Sequence, residues 1–82
     1  NKNRNLPSSK DSMPQFTERE AEILSLICKG FNNEQIAELI YVSPKTVEKH
    51  KSSLFLKTET KNTVNLIIYA IKNGLVQIDD LP

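Results

Sequence analysis

Ser43-Pro44 constrains this chain more than any other pair of residues. Proline has no amide hydrogen, and its ring clashes with the carbonyl one turn back, so a helix interior excludes it. It fits the first helical position, and a serine just before it can accept a backbone N–H as N-cap. Helical patterns lie on both sides. Upstream, Ile36, Leu39 and Ile40 make an apolar face; downstream, Val47, Leu54 and Phe55 recur at helical spacing. Two helices must therefore meet across Val42-Ser43-Pro44, a tight turn of helix-turn-helix proportions.

The rest of the chain is punctuated in the same way. Thr17 and Glu20 form a T-x-x-E capping box, with Phe16 placed to staple against Ala21 or to pack nearby. This predicts a first helix over Phe16 to Lys29. Ile23, Leu24, Ile27 and Cys28 trace its buried stripe, and Leu26 lies close by. Glu18, Glu20 and Glu22 favour its positive end, and Gly30 closes it in a left-handed conformation. Asn32, with Gln35 three residues on, opens a second helix that reaches Tyr41, and Ala37 in it is small where the following helix has to approach closely. The third covers Ser43 to Lys57, and Thr58 to Lys61 is a turn. Asn62 caps a fourth helix, about Thr63 to Asn73, closed by Gly74.

The fourth helix is apolar on more than one face. Leu66, Ile67, Ala70 and Ile71 can serve a core, with Leu75 and Val76 closing over it. Val64 and Ile68, four apart, look surplus. Either a partner covers them or the core wraps most of this helix. With no strand pattern and no repeat, the chain reads as an all-α domain of four short helices.

Eighty-two residues make one small domain with a core near the lower limit for independent stability. The net charge of +1 hides a pattern. Residues 43–76 carry six lysines against Glu48 and Glu59, a net +4, whereas residues 16–42 sum to −3. Positive charge gathers around the third helix, as on a surface that meets a polyanion. Residues 1–15, with Pro7, Pro14 and little apolar content, read as a flexible linker or arm. Residues 16–76 form the domain, and 77–82 an acidic tail. Beginning at Asn rather than Met suggests a fragment of a longer protein.

Cys28 is the only cysteine, so no intramolecular disulfide forms, and Cys28 with His50 falls short of a metal site. A buried, inert thiol in a cytoplasmic protein is the expectation. No apolar run is long enough to cross a bilayer, and no signal-peptide pattern opens the chain. No metal, cofactor or membrane partner is expected. No Ser, Cys or paired carboxylate stands with His50 to carry a reaction, so the chain does not read as an enzyme.

Lys45, Lys49 and Ser52 share the face of the third helix opposite its apolar side, and Glu48 lies beside them. Such a helix suits a DNA major groove: the apolar side anchors, and the polar side meets phosphates and base edges. On this stretch alone a solvated amphipathic helix is the simpler reading.

The run FTEREAEILSLICKGFNNEQIAELIYVSPKTVEKHKSSLF resembles the LuxR/FixJ (NarL)-type helix-turn-helix domain of bacterial transcription regulators. Thr17, Arg19, Glu20, Gly30, Asn33, Ile36, Ala37, Ser43, Lys45, Thr46, Val47, His50 and Lys57 are among its matching positions, and the likeness continues to Gly74-Leu75-Val76. The resemblance implies a four-helix domain without a wing, at the C-terminus of a response regulator in a two-component system or of a ligand-sensing regulator. It implies a third helix in the major groove and a fourth that forms the dimer contact on a two-fold operator. Carried over, Ser43, Lys45 and Thr46 hold the DNA backbone; Glu48, Lys49 and Ser52 face bases; Lys51 and Lys57 contact phosphates. Val64 and Ile68 serve dimerisation. Duplex DNA, a second copy and RNA polymerase are the implied partners. For His50, helix packing is at least as good a reading as a DNA contact.

The pattern breaks after Lys57. The family's Leu-Gly-Val, then a small residue and Arg, is replaced by Thr58-Glu59-Thr60, then Asn62-Thr63. Loss of the glycine implies a changed end to the third helix, extended by a residue or two. Loss of the apolar pair implies weaker packing of that turn. The competing class is a helix-turn-helix module for protein interaction that touches no nucleic acid.

Overall fold

The computed structural model of the protein describes residues 14–76. Most of the arm at 1–15 and all of the acidic tail at 77–82 lie outside the described residues. Four helices follow in order: α1 (Glu18–Cys28), α2 (Asn33–Ile40), α3 (Pro44–Thr58) and α4 (Thr63–Lys72). No strand occurs among the described residues.

Each helix starts where its cap chemistry places it. The Thr17 hydroxyl accepts from the Glu20 N–H at 3.1 Å while the Glu20 carboxylate accepts from the Thr17 N–H at 2.9 Å. Asn32 and Gln35 repeat this reciprocal box at 2.8 and 2.9 Å. Ser43 caps α3 ahead of Pro44, and Asn62 caps α4 by accepting from the Asn65 N–H at 2.8 Å. Such caps satisfy amides that have no partner inside the helix. The predicted first helix is trimmed at both ends: Phe16 and Thr17 precede it, and Lys29 is its C-cap.

α1 and α3 form a central pair, each touching all the other helices, and α2 and α4 flank them. Ile23, Ile36, Val47, Leu54 and Leu66, drawn from all four helices, are fully buried and pack into one cluster. Burying such side chains is the main stabilising contribution, about 1.5–3 kcal/mol each. Phe55, Ile67, Ile71 and Leu75 pack against this cluster half-buried, and Val76 closes it.

One packing expectation fails. Leu39 is 50% exposed; Ala37 is buried in its place, because α2 presents Ile36, Ala37 and Ile40 inward. Of the two placements open to Phe16, it takes the second: Ala21 is exposed, and Phe16 packs against the core. Val64 and Ile68 are exposed at 65% and 48%, so the core does not wrap that side of α4.

The two turns that flank α3 are left-handed without glycine. Tyr41, expected within α2, is its C-cap at φ 61°, and Glu59 ends α3 at φ 56°. The Cβ makes this conformation cost about 1 kcal/mol for an L residue. α3 extends one residue past Lys57, to Thr58. The turn there is held by polar contacts rather than apolar ones. Buried Thr58 donates to the Leu54 carbonyl at 2.8 Å, and its hydroxyl lies 2.8 Å from that of Thr60.

Candidate nucleic-acid interface

α3 has an inner side built from Val47, Leu54 and Thr58 and an outer side open to solvent. The inner side fixes which residues the outer one presents: Lys45, Glu48, Lys49 and Ser52 are all exposed. No ion pair engages these residues among the described ones. Among the described residues, no charged partner occupies their cations or carboxylate. At the start of the helix, the Ser43 hydroxyl accepts from the Thr46 N–H at 3.2 Å and lies 3.0 Å from the Thr46 hydroxyl. The first turn of α3 holds no acidic residue, so its positive end is left uncompensated for an anion such as phosphate.

Glu48 also faces an open groove between α2 and α3, lined by Asn32, Asn33, Glu34, Pro44, Glu48 and Lys51. Lys51 reaches across and donates to the Asn33 carboxamide oxygen at 3.1 Å. It ties the two helices of the motif while staying half-exposed. His50 is half-buried.

Lys57 sits apart from this group. Its ammonium donates to Glu20 Oε1 at 2.6 Å and to the Gln15 carbonyl at 2.9 Å, and lies 5.9 Å from the centre of the Phe16 ring. Ser53 donates to the other Glu20 oxygen at 2.7 Å. Glu20 is only 5% exposed, and both of its oxygens are satisfied. Hydrogen bonds from Lys57 and then Ser53 pull its pKa down to about 2; burial opposes them, and the Thr17 N–H adds to them. The result is a clamp from α3 to the start of α1. Sequence reasoning had Glu20 as a local cap and missed the tertiary bonds to Ser53 and Lys57. The signal was that Glu20 and Lys57, of opposite charge, both belong to the family motif.

Cys28 is a buried free thiol whose pKa burial raises, which disfavours its reactive thiolate. Among the described residues no cluster of His, Cys, Asp or Glu could hold a metal ion, and no helix is long and apolar enough to cross a membrane.

Four short helices around a tight turn, with a lysine-bearing outer face on the third, define a helix-turn-helix domain of the DNA-binding class. Residues 14–70 match the family described as bacterial regulatory proteins, luxR family, and the chain belongs to it. It is 40% identical over 77 residues to the oxygen regulatory protein NreC of Staphylococcus aureus strains RF122 and MRSA252. That match covers 94% of this chain and 36% of the relative, so the chain spans about a third of the length of the curated relatives it matches. Among solved structures, it is similar to the Vibrio cholerae VqmA dimer without target DNA. That likeness has a TM-score of 0.76 and 28% identity, covering 92% of this chain and 32% of VqmA. The VqmA–ligand–DNA complex gives 0.74 and 31% identity, covering 78% and 28%. The chain is thus a DNA-binding effector domain of a bacterial transcriptional regulator.

Proposed function

We propose that this domain, residues 16–76, binds duplex DNA as a homodimer, with α3 in the major groove of each half-site and α4 making the contact between copies. The observation that carries the reading is the outer face of α3. Lys45, Lys49 and Ser52 stand exposed on a helix whose inner side is locked by fully buried Val47 and Leu54. Lys45 and the Ser43–Thr46 cap meet the sugar–phosphate backbone, and Lys51 meets phosphate from the α2–α3 groove. Glu48, Lys49 and Ser52 face base edges, where a carboxylate accepts from cytosine N4 and a lysine donates to guanine. Lys57 holds the domain together through Glu20, at a distance from the reading face. Exposed Val64 and Ile68 on α4 support the dimer contact. The intact protein is a cytoplasmic response regulator, and RNA polymerase is its further partner.

Binding to random-sequence duplexes at two salt concentrations, followed by selection of preferred sites, tests this. A two-fold symmetric site with half-site centres about one helical turn apart is expected, and affinity should fall steeply with salt through counterion release. No binding at low salt, at protein concentrations above roughly 100 μM, would sink the DNA reading. A pure interaction module is the second reading, favoured by Val64 and Ile68. Reversing the charge of Lys49 and Lys51 leaves self-association of such a module intact and abolishes DNA binding by the first.

A further inference from the structure

The outer face of α3 does not stop at Ser52. At about 100° per residue, Lys45, Lys49, Ser52 and Leu56 fall within about 60° of one another around the helix. All four are exposed, and Leu56 is 80% exposed. Its neighbours fix this orientation. Phe55 packs against the core, Lys57 is tied to Glu20 and Gln15, and Thr58 is buried. Leu56 can point only along the stripe of the two free lysines.

The only apolar feature that base pairs present in the major groove is the thymine C5 methyl. Leu56 lies four residues beyond Ser52, about 6 Å along the axis, which is close to two base-pair steps. We propose that Leu56 is a specificity-determining residue that packs on a thymine methyl about two base pairs from the position faced by Ser52. This rests on the DNA-binding reading above. A second copy of the chain is the other candidate occupant, but it fits less well. A two-fold contact along this stripe would gather Lys45 and Lys49 of both copies into one interface, which like charges oppose.

The test uses the selected duplex, with each thymine replaced in turn by deoxyuridine, which lacks only the methyl. The wild-type chain should lose roughly three- to tenfold in affinity at one thymine per half-site. Leu56→Ala should be indifferent at that position while keeping the wild-type response everywhere else. Its circular dichroism should match wild type, since the side chain is exposed. Identical deoxyuridine profiles for the two proteins overturn the proposal. So does an unchanged profile with weakened self-association in sedimentation, which gives Leu56 to the contact between copies. A wild-type chain that selects no site fails at the earlier step and takes both readings with it.

Discussion

The two long edges of α3 carry the same residue type for different work. On the outer edge, Lys45 and Lys49 make no ion pair among the described residues and stand in solvent. On the inner edge, Lys57 is held by Glu20, the Gln15 carbonyl and the Phe16 ring. Lys51 is intermediate, half-exposed and bonded to Asn33. Composition counts these lysines alike, but their energetics differ. A free surface lysine adds little to stability and is available to a polyanion. A lysine on a buried carboxylate is costly to remove, because the carboxylate stays behind without its partner.

The largest expected effect follows from that cost. Lys57→Ala should destabilise the domain by about 2–4 kcal/mol, read as a lower urea midpoint at unchanged slope. Its affinity for DNA, measured where it is still folded, should change little. A loss of affinity without a loss of stability would break the comparison and return Lys57 to the phosphate contacts. Lys49→Ala should behave in the opposite way. Unfolding should stay within ~0.5 kcal/mol of wild type, while cognate affinity falls by about 1–3 kcal/mol. If Lys49 touches only phosphate, the loss should be equal on scrambled duplexes.

Acid sharpens the inner edge further. The pKa of Glu20 is about 2 in the folded domain against 4.5 ordinarily. Its folded value is depressed, so its contribution is complete above pH 4.5 and fades as pH falls from 4.5 towards 2. With Lys57 partly exposed, that contribution is roughly 1–2 kcal/mol. Urea unfolding across this window should lose that much in wild type and much less in Glu20→Gln. The smallest effect lies where the two edges end. Glu59→Gly relieves the left-handed strain at φ 56° and should stabilise by about 0.5–1 kcal/mol. Thermal melting reads this directly, and a destabilised variant would mean the Glu59 side chain holds the turn.

Most of the fold was legible because its signals are local. Thr17–Glu20, Asn32–Gln35, Ser43-Pro44 and Asn62 start helices through bonds to their own next turn. Gly30 and Gly74 end helices through their own backbone freedom, at φ 97° and 71°. The outer face of α3 was legible for a similar reason, since helical spacing alone groups Lys45, Lys49 and Ser52. The inward set of α2 was legible only in part, because Leu39 turns outward. Leu39 and Ala37 are both compatible with an apolar stripe, and the close approach of neighbouring helices chose the smaller residue. Tyr41 and Glu59 carry no glycine signal, yet both adopt the left-handed conformation that a tight turn requires.

The sequence by itself determined where the helices begin, that a tight turn joins α2 to α3, and which residues share a face of α3. Those properties depend on hydrogen bonds and periodicity within a few residues. Only the tertiary structure decided that Lys57 and Ser53 both belong with Glu20, across 37 and 33 residues of chain, rather than Lys57 with the outer lysines. It also decided that Val64, Ile68 and Leu56 stay in solvent while Thr58 is buried. Burial and long-range pairing depend on how helices pack, and that depends on all the faces at once.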